Sequence, residues 1–208
     1  MTVAVRPRRY RCRVRGFPVV LVGVVLVGVV LAGVLGGCAG SVDGGAEPFV
    51  GLELPPRPRE VPVQGVDPCA LLTETQQAEL ELDSPMLFSP SVGSALFEGP
   101  DPLCTTGAFD PRAFGVAIAL PYDGLGIGAL TARPVRSELT PLDVQGFPAV
   151  LARPDDPLFC QVVVDVAPGQ AVSVQFRDGG DRNIPQDELC DGAVEVADAA
   201  MATLLSLY

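Results

Sequence analysis

The chain of 208 residues contains no histidine, no lysine and no tryptophan. Without histidine there is no Ser-His or Cys-His pair to activate a nucleophile, and without lysine there is neither a Ser-Lys dyad nor a Schiff base. Carboxylate pairs remain, such as Asp155 with Asp156 and Asp178 with Asp181. Both pairs lie in loops rich in Pro or Gly, where aspartate commonly serves turn formation. We therefore expect a protein that is not an enzyme, with a carboxylate-dependent hydrolase as an alternative.

Motifs for cofactors and metals are also missing. The last four cysteines form no CxxC pair, and without histidine they do not resemble a zinc site. Residues 124–128 (GLGIG) lack the lysine and the spacing of a phosphate-binding loop, so we interpret them as a surface loop. Residues 177–183 lack the ligand pattern of an EF-hand calcium loop. We expect no cofactor and no metal.

Positive charge is concentrated at the N-terminus. Six of the 14 arginines lie between Arg6 and Arg15, and all 25 acidic residues follow Cys38. The chain from Cys38 onward therefore has eight arginines and a formal charge of −17. Nucleic acid is not an expected partner, because binding to phosphates requires concentrated positive charge.

The arginine cluster leads into a seventeen-residue apolar run, Val19–Leu35, which ends in Gly36-Gly37-Cys38. This order is typical of a lipoprotein signal peptide. Leu35 is the aliphatic residue three positions before Cys38, and Gly37 is the small residue before it. We expect cleavage between Gly37 and Cys38 and acylation of Cys38, which would anchor the chain to the extracytoplasmic face of the cell membrane. An uncleaved transmembrane segment is the alternative, because the run approaches the roughly 17–25 residues that span a bilayer.

Composition then divides the chain into three parts. Residues 1–37 are the predicted signal peptide. Residues 38–66 carry five prolines and no sustained hydrophobic period, which predicts a tether after the lipidated cysteine. The remaining 142 residues, 67–208, are enough for a single globular domain with its own core.

Local signals within this domain predict an α+β fold. A Thr73–Gln76 capping box starts a short helix that should end near Leu82, just after the helix start signal at Asp67-Pro68. Helical spacing of apolar residues predicts a helix from Gln186 to Leu207. Strand patterns occupy four further stretches, which are Phe114–Leu120, Leu142–Val144, Ala149–Ala152 and Gln161–Arg177. We expect an antiparallel sheet with the C-terminal helix and the short N-terminal helices packed on it.

The stretch from Gln161 to Arg177 reads as a β-hairpin that turns at Ala167-Pro168-Gly169-Gln170. Its alternation places Val164 and Val174 on the inner face, where Val196 and Ala200 of the last helix should cover them. Ser173 and Gln175 should face outward or toward an edge. The polar alternate positions predict that this outer face is exposed to solvent.

Four cysteines remain after the signal peptide and Cys38 are set aside: Cys69, Cys104, Cys160 and Cys190. Four cysteines permit three pairings. Two loops of similar length favour Cys69 with Cys104 and Cys160 with Cys190. The second choice is a pairing that ties both helices together through Cys69 and Cys190.

Several short motifs occur along the chain in a defined order. They are Asp67-Pro68-Cys69, Leu71-Leu72-Thr73, a middle Cys104, Gly146-Phe147-Pro148-Ala149, Cys160 with alternating valines and Gly169-Gln170, and Cys190 opening a helix. Together they resemble the actinobacterial lipoproteins grouped as domain of unknown function 3558, from the lipobox to the C-terminus. The chain departs from that group at Thr106, where an aromatic residue is common, and in lacking a Gly at the end of the first helix. The resemblance implies an envelope lipoprotein with two disulfides and brings no activity or catalytic residues.

These observations favour a non-catalytic binding module for an envelope protein, a lipid or a small ligand. A structural or assembly accessory of the cell envelope is the alternative. An apolar cavity beside the sheet would favour a lipid or small ligand, whereas a flat exposed patch would favour a protein partner.

Overall fold

The computed structural model describes residues 52–90, 101–122, 126–131 and 136–208. The predicted signal peptide, the cleavage site at Gly37 and Cys38, and the beginning of the predicted tether lie outside these ranges. All described residues belong to one compact unit, Gly45–Tyr208. Across the four described ranges, none of the helices has the length and apolarity required to traverse a bilayer.

The described residues form a seven-stranded sheet in which every neighbouring pair is antiparallel, in the order β1-β2-β3-β7-β6-β5-β4. The strands are β1 (Leu87–Ser89), β2 (Leu103–Ala108), β3 (Phe114–Ala119), β4 (Ser137–Val144), β5 (Phe147–Pro154), β6 (Phe159–Ala167) and β7 (Gln170–Asp178). The helices are a 3-10 helix (Pro68–Leu71), α1 (Glu74–Glu79), α2 (Gly128–Thr131) and α3 (Gln186–Ser206). The antiparallel sheet and the C-terminal helix are as predicted.

Helix α3 covers one face of the sheet, which we call the helix face. Val164 and Val174 lie on this face with no exposed area, and Val196 and Ala200 of α3 belong to the same apolar cluster. The predicted inner positions are therefore confirmed. The hairpin that carries them is also confirmed, since β6 and β7 pair from Phe159 with Arg177 onward. Gly169 in its turn has φ +69°, a backbone conformation that glycine adopts without steric cost.

The opposite face, which we call the outer face, is more buried than the alternation predicts. Ile127 and Leu130, from the segment that leads into and forms α2, pack on it against Val150, Val163 and Ala171. The interpretation of 124–128 as a surface loop is thus wrong at Ile127, which is 9% exposed; residues 124 and 125 lie outside the described ranges. A local polar period cannot reveal that a distant segment covers the same face.

Ser173 illustrates the same correction. Its side chain lies on the outer face as predicted, but the residue is only 4% exposed. Its hydroxyl accepts a hydrogen bond from Nε2 of Gln161 at 2.8 Å, so the polar group is satisfied without solvent. Gln175, on the same face, is half-buried.

The described part of the predicted tether lies along the domain. Val61 and Val63 have no exposed area, and the Val61 amide donates to the Val166 carbonyl at 2.8 Å. Arg57 forms an ion pair with Asp165 in which NH1 lies 2.6 Å from Oδ1. The expectation that the tether extends to residue 66 is therefore wrong, because Val61 and Val63 belong to the apolar core of the domain.

Two disulfides connect the helices to the sheet. Cys69, in the 3-10 helix, is bonded to Cys104 of β2, with a Cα–Cα distance of 5.1 Å. Cys160 of β6 is bonded to Cys190 of α3, with a Cα–Cα distance of 4.8 Å. This is the pairing that loop length favours, and it joins the 3-10 helix and α3 each to a strand.

Candidate functional site

Helix α1 begins with the predicted capping box, in which Thr73 and Gln76 exchange hydrogen bonds through their side chains. It ends at Glu79, before the predicted Leu82, and Glu81 then adopts φ +55°. The prediction placed both short helices on the sheet. The 3-10 helix does bury Pro68 and Leu71, whereas α1 has no buried residue and contacts α3.

Between α1 and α3 lies an elongated depression, which we call the α1–α3 groove. It consists of two adjoining cavities of about 360 and 560 Å³ that share Glu79, Leu80 and Glu195. The smaller cavity reaches down toward the end of the sheet, and the larger one continues along α3 past Asp198. A groove in this size range is adequate for a small molecule or a few peptide side chains.

A pair of phenylalanines forms the apolar floor of the smaller cavity. Phe114 of β3 and Phe176 of β7 are stacked, with ring centroids 4.7 Å apart and ring planes 18° apart. Gly192 of α3 lies directly against this floor, since a Cβ there would come within 2.9 Å of Cε2 of Phe176. Glycine at this position lets the helix approach the ring closely, and Ile184 completes the apolar lining.

Carboxylates form the rim. The exposed acidic side chains that line the groove are Glu79, Glu81, Glu188, Asp191, Glu195 and Asp198. Arg112 is the one basic residue among the described residues that line it, and its NH1 lies 2.8 Å from Oε2 of Glu188. Asp198 accepts hydrogen bonds from Nε2 of Gln145 at 2.9 Å. The remaining rim carboxylates form no ion pair in the described part of the chain.

Sequence reasoning did not identify this groove. The signal was nevertheless present in α3, which contains five acidic residues and no basic one. Glu188, Asp191, Glu195 and Asp198 recur at helical spacing, so they share one face of the helix. The position of that face opposite α1 and above Phe176 depends on the tertiary structure.

The acidic pairs considered in the sequence have other surroundings. The Asp178 carboxylate accepts hydrogen bonds from the backbone amides of Gly180, Arg182, Asn183 and Ile184 at 2.8–3.1 Å. Burial acts to raise the pKa of Asp178, but these four amides outweigh it and lower the pKa below its ordinary value. The carboxylate thus organises the loop before α3, which is the turn chemistry expected.

The other carboxylates named with Asp178 lie at the surface. Asp181, Asp155 and Asp156 are all exposed. Within residues 52–90, 101–122, 126–131 and 136–208, no three Asp, Glu or Cys side chains gather in a way that could hold a metal ion.

Asp101, which the sequence did not single out, has the one buried side-chain oxygen without a hydrogen-bond partner among the described residues. It is 2% exposed, and its Oδ2 has no hydrogen-bond partner. Burial raises the pKa of this carboxyl above its ordinary value. It lies just before β2 and lines neither cavity of the α1–α3 groove.

Comparison with known proteins gives a single family. The profile of a family described as "Protein of unknown function (DUF3558)" matches residues 33–203, which is most of the chain. No curated protein and no solved structure matches the sequence.

Proposed function

Since the chain belongs to the DUF3558 family of proteins of unknown function, we propose a function from the features of its surface. We propose that it is a non-catalytic binding module for a cationic segment of another envelope protein. The observation that carries this proposal is the α1–α3 groove, which combines a carboxylate rim with a stacked Phe114–Phe176 floor.

The charge of the groove favours a basic partner. Glu79, Glu81, Asp191 and Glu195 line it without forming an ion pair within the described residues, in a chain that carries −17 beyond its N-terminal segment. Clefts lined by one sign of charge concentrate ligands of the opposite sign and accelerate their association. A lysine- or arginine-bearing segment meets this requirement, whereas an anionic ligand does not.

The floor favours arginine over a simple cation. A guanidinium group can stack on an aromatic face while its N–H groups donate to carboxylates at the edge. Phe114 and Phe176 are half-buried, and both line the smaller cavity. The larger cavity then extends the contact along α3, which suits a stretch of polypeptide better than a compact ion.

We further propose that this module is a lipoprotein on the extracytoplasmic face of the cell membrane, anchored through Cys38. The supporting observations are the basic, apolar and Gly37-Cys38 order of the N-terminus and two disulfides, which persist in oxidising compartments. Cys38→Ala should accumulate as an unprocessed precursor, because lipid attachment to that thiol precedes cleavage. A Cys38→Ala chain that is still cleaved at the same site and still carries acyl mass would contradict the anchor.

Titration of the full chain, held in phosphatidylcholine nanodiscs, tests the groove. The probe is a short acetylated peptide that alternates arginine and leucine, and its citrulline analogue removes the charge at nearly constant shape. We expect saturable binding of the arginine peptide that weakens with added salt, and about tenfold weaker binding of the analogue.

Variants then locate the site. Glu79→Gln combined with Glu195→Gln should weaken binding about tenfold, because both carboxylates border both cavities. Asp155→Asn combined with Asp156→Asn changes the net charge equally at an exposed loop that lines neither cavity and should have little effect. Equal weakening by the two double variants would contradict a specific groove. Absence of binding to the unaltered chain would favour the structural or assembly accessory instead.

A further inference from the structure

A third cavity, of about 450 Å³, lies on the outer face of the sheet, away from α3, where β2, β3 and β7 run side by side. Across this row Gly107 of β2 is paired with Gly115 of β3, and Gly115 is paired with Arg177 of β7. Two of the three positions lack side chains, so the sheet surface is hollow there. Arg177 is the only long side chain of the row.

Close packing against the backbone requires glycine at position 107, and a side chain at position 115 would displace Arg177. A Cβ on Gly107 would lie 2.2 Å from the carbonyl oxygen of Phe114, which no side chain could avoid. A Cβ on Gly115 would lie 3.0 Å from Nε of Arg177, which shows that the arginine side chain crosses directly over the Gly115 backbone. The hollow therefore follows from the packing of the sheet, and the Arg177 side chain lies along its floor.

Arg177 differs from the arginines that form ion pairs. Arg57, Arg112 and Arg153 each have a carboxylate partner within 2.8 Å. Arg177 is exposed, and no carboxylate in the described ranges forms an ion pair with it. Its neighbour Asp178 is engaged by four backbone amides. Arg59, Arg136 and Arg182 also form no ion pair within the described ranges, but Arg177 is the one of these four that lines a cavity described above.

Apolar side chains border the same cavity. Phe109 is 79% exposed and Leu87 is 61% exposed, the two largest values among the exposed large apolar residues of the described ranges. The backbone that carries Phe109 is held in place, because Oδ2 of Asp83 accepts from its amide at 3.4 Å. The amides of Asp83 and Ser84 both donate to the Gly107 carbonyl at 3.1 Å, which closes this wall of the cavity.

We propose that this hollow binds an anionic amphiphile with a single aliphatic chain, its head group on Arg177 and its chain across Phe109 and Leu87. The acidic surface of the protein repels small anions, so a lone cation would retain them poorly. Exposed apolar side chains beside the cation add burial of the aliphatic chain, at about 25 cal/mol per Å², which an inorganic anion cannot supply. This site lies on the opposite face from the α1–α3 groove and does not depend on the proposed function.

The test uses the full chain in phosphatidylcholine nanodiscs, with empty nanodiscs as the blank, titrated by calorimetry. The probes are octanoate, octyl phosphate, octylammonium and acetate. We expect saturable binding of at least one of the two anionic octyl compounds, and the tighter of the two identifies the head group. Octylammonium and acetate should bind about tenfold more weakly or not at all, because octylammonium lacks the negative charge and acetate lacks the aliphatic chain.

Three variants assign the residues. Arg177→Gln should weaken octanoate or octyl phosphate about tenfold, and Phe109→Ser should weaken it to a similar degree. Gly115→Ala should weaken it as well, because the added methyl group displaces the Arg177 side chain. Arg136→Gln is the matched control, an exposed arginine at the opposite edge of the sheet that makes the same change in net charge.

Two results would overturn the proposal. One is binding of the anionic octyl compounds no greater than the blank. The other is an equal effect of Arg177→Gln and Arg136→Gln, which would reduce the interaction to the overall charge of the protein. Thermal unfolding of each variant, compared with the unaltered chain, ensures that a loss of binding reports on the site rather than on folding.

Discussion

Gln76 of α1 donates from Nε2 to the backbone carbonyl of Ala199 on α3 at 2.8 Å, 123 positions further along the chain. Its Oε1 accepts from the hydroxyl of Thr203 on the same helix at 2.9 Å. Since α1 has no buried residue, this one side chain supplies polar contacts that hold α1 beside α3. One wall of the α1–α3 groove therefore depends on Gln76.

Replacing Gln76 by Ala should reduce the free energy of unfolding by about 1–3 kcal/mol, because several hydrogen bonds are lost together with the capping box. Urea denaturation measures the change. Gln77→Ala is the control, since Gln77 donates only locally, to the Leu72 carbonyl at 2.8 Å. Equal losses for the two variants would mean that the contact between α1 and α3 adds nothing to stability.

Packing of α3 on the sheet predicts a large difference between two substitutions. Val196→Asp would bury an unpaired carboxylate at a position with no exposed area, which should cost several kcal/mol out of a total of about 5–15. Gln175→Lys, at a half-buried outer-face position, should cost well under about 1 kcal/mol. Thermal unfolding that ranks Gln175→Lys as the more damaging change would contradict the docking of α3.

Asp178 predicts a loss of stability in acid. Its folded-state pKa is lowered, so its stabilisation is present above the pKa of the unfolded chain and is lost as the pH falls through the folded-state value. Asp178→Asn should therefore be destabilising at neutral pH and approach the unaltered chain in strong acid. Unfolding measured across the acidic range checks this, and a difference that does not depend on pH would contradict it.

Asp101 predicts the opposite dependence. Its folded-state pKa is raised, so the folded state binds the proton more tightly, and stability declines as the pH rises from the unfolded-state pKa through the folded-state value. Asp101→Asn should stabilise the protein at neutral pH, because it removes a buried charge whose Oδ2 is unpaired. The exposed Asp156→Asn is the control, and it should leave the unfolding midpoint almost unchanged.

The disulfides should contribute strongly to stability. Sequence separations of 35 and 30 residues correspond to about 3.5–4 kcal/mol for each loop in the chain-entropy description. Replacing Cys160 and Cys190 by Ala should lower the free energy of unfolding more than replacing Cys69 and Cys104. Cys160 and Cys190 are both buried, whereas Cys69 is partly exposed. Denaturation of the two double variants checks the order, and peptide mapping without reductant checks the pairing.

Patterns that depend on near neighbours were predictable from the sequence. The β6–β7 hairpin, the capping box of α1 and the apolar stripe of α3 each rest on residues within a few positions of one another. Their periods follow directly from the geometry of a strand or a helix. The favoured cysteine pairing was also correct, although its two loops of similar length had left the other pairings open. The alternation in the β6–β7 hairpin likewise placed Val164 and Val174 correctly on the inner face.

Only the tertiary structure decided what covers each surface. The burial of Ser173, the packing of Ile127 on the outer face and the entry of Val61 and Val63 into the core bring together segments far apart in sequence. The α1–α3 groove and the Arg177 hollow arise in the same way, from Gly192 against Phe176 and from Gly107 opposite Gly115. A local period assigns a residue to a face, but it carries no information on which distant segment packs against that face. That choice depends on the shape and volume of surfaces that exist only after the chain has folded.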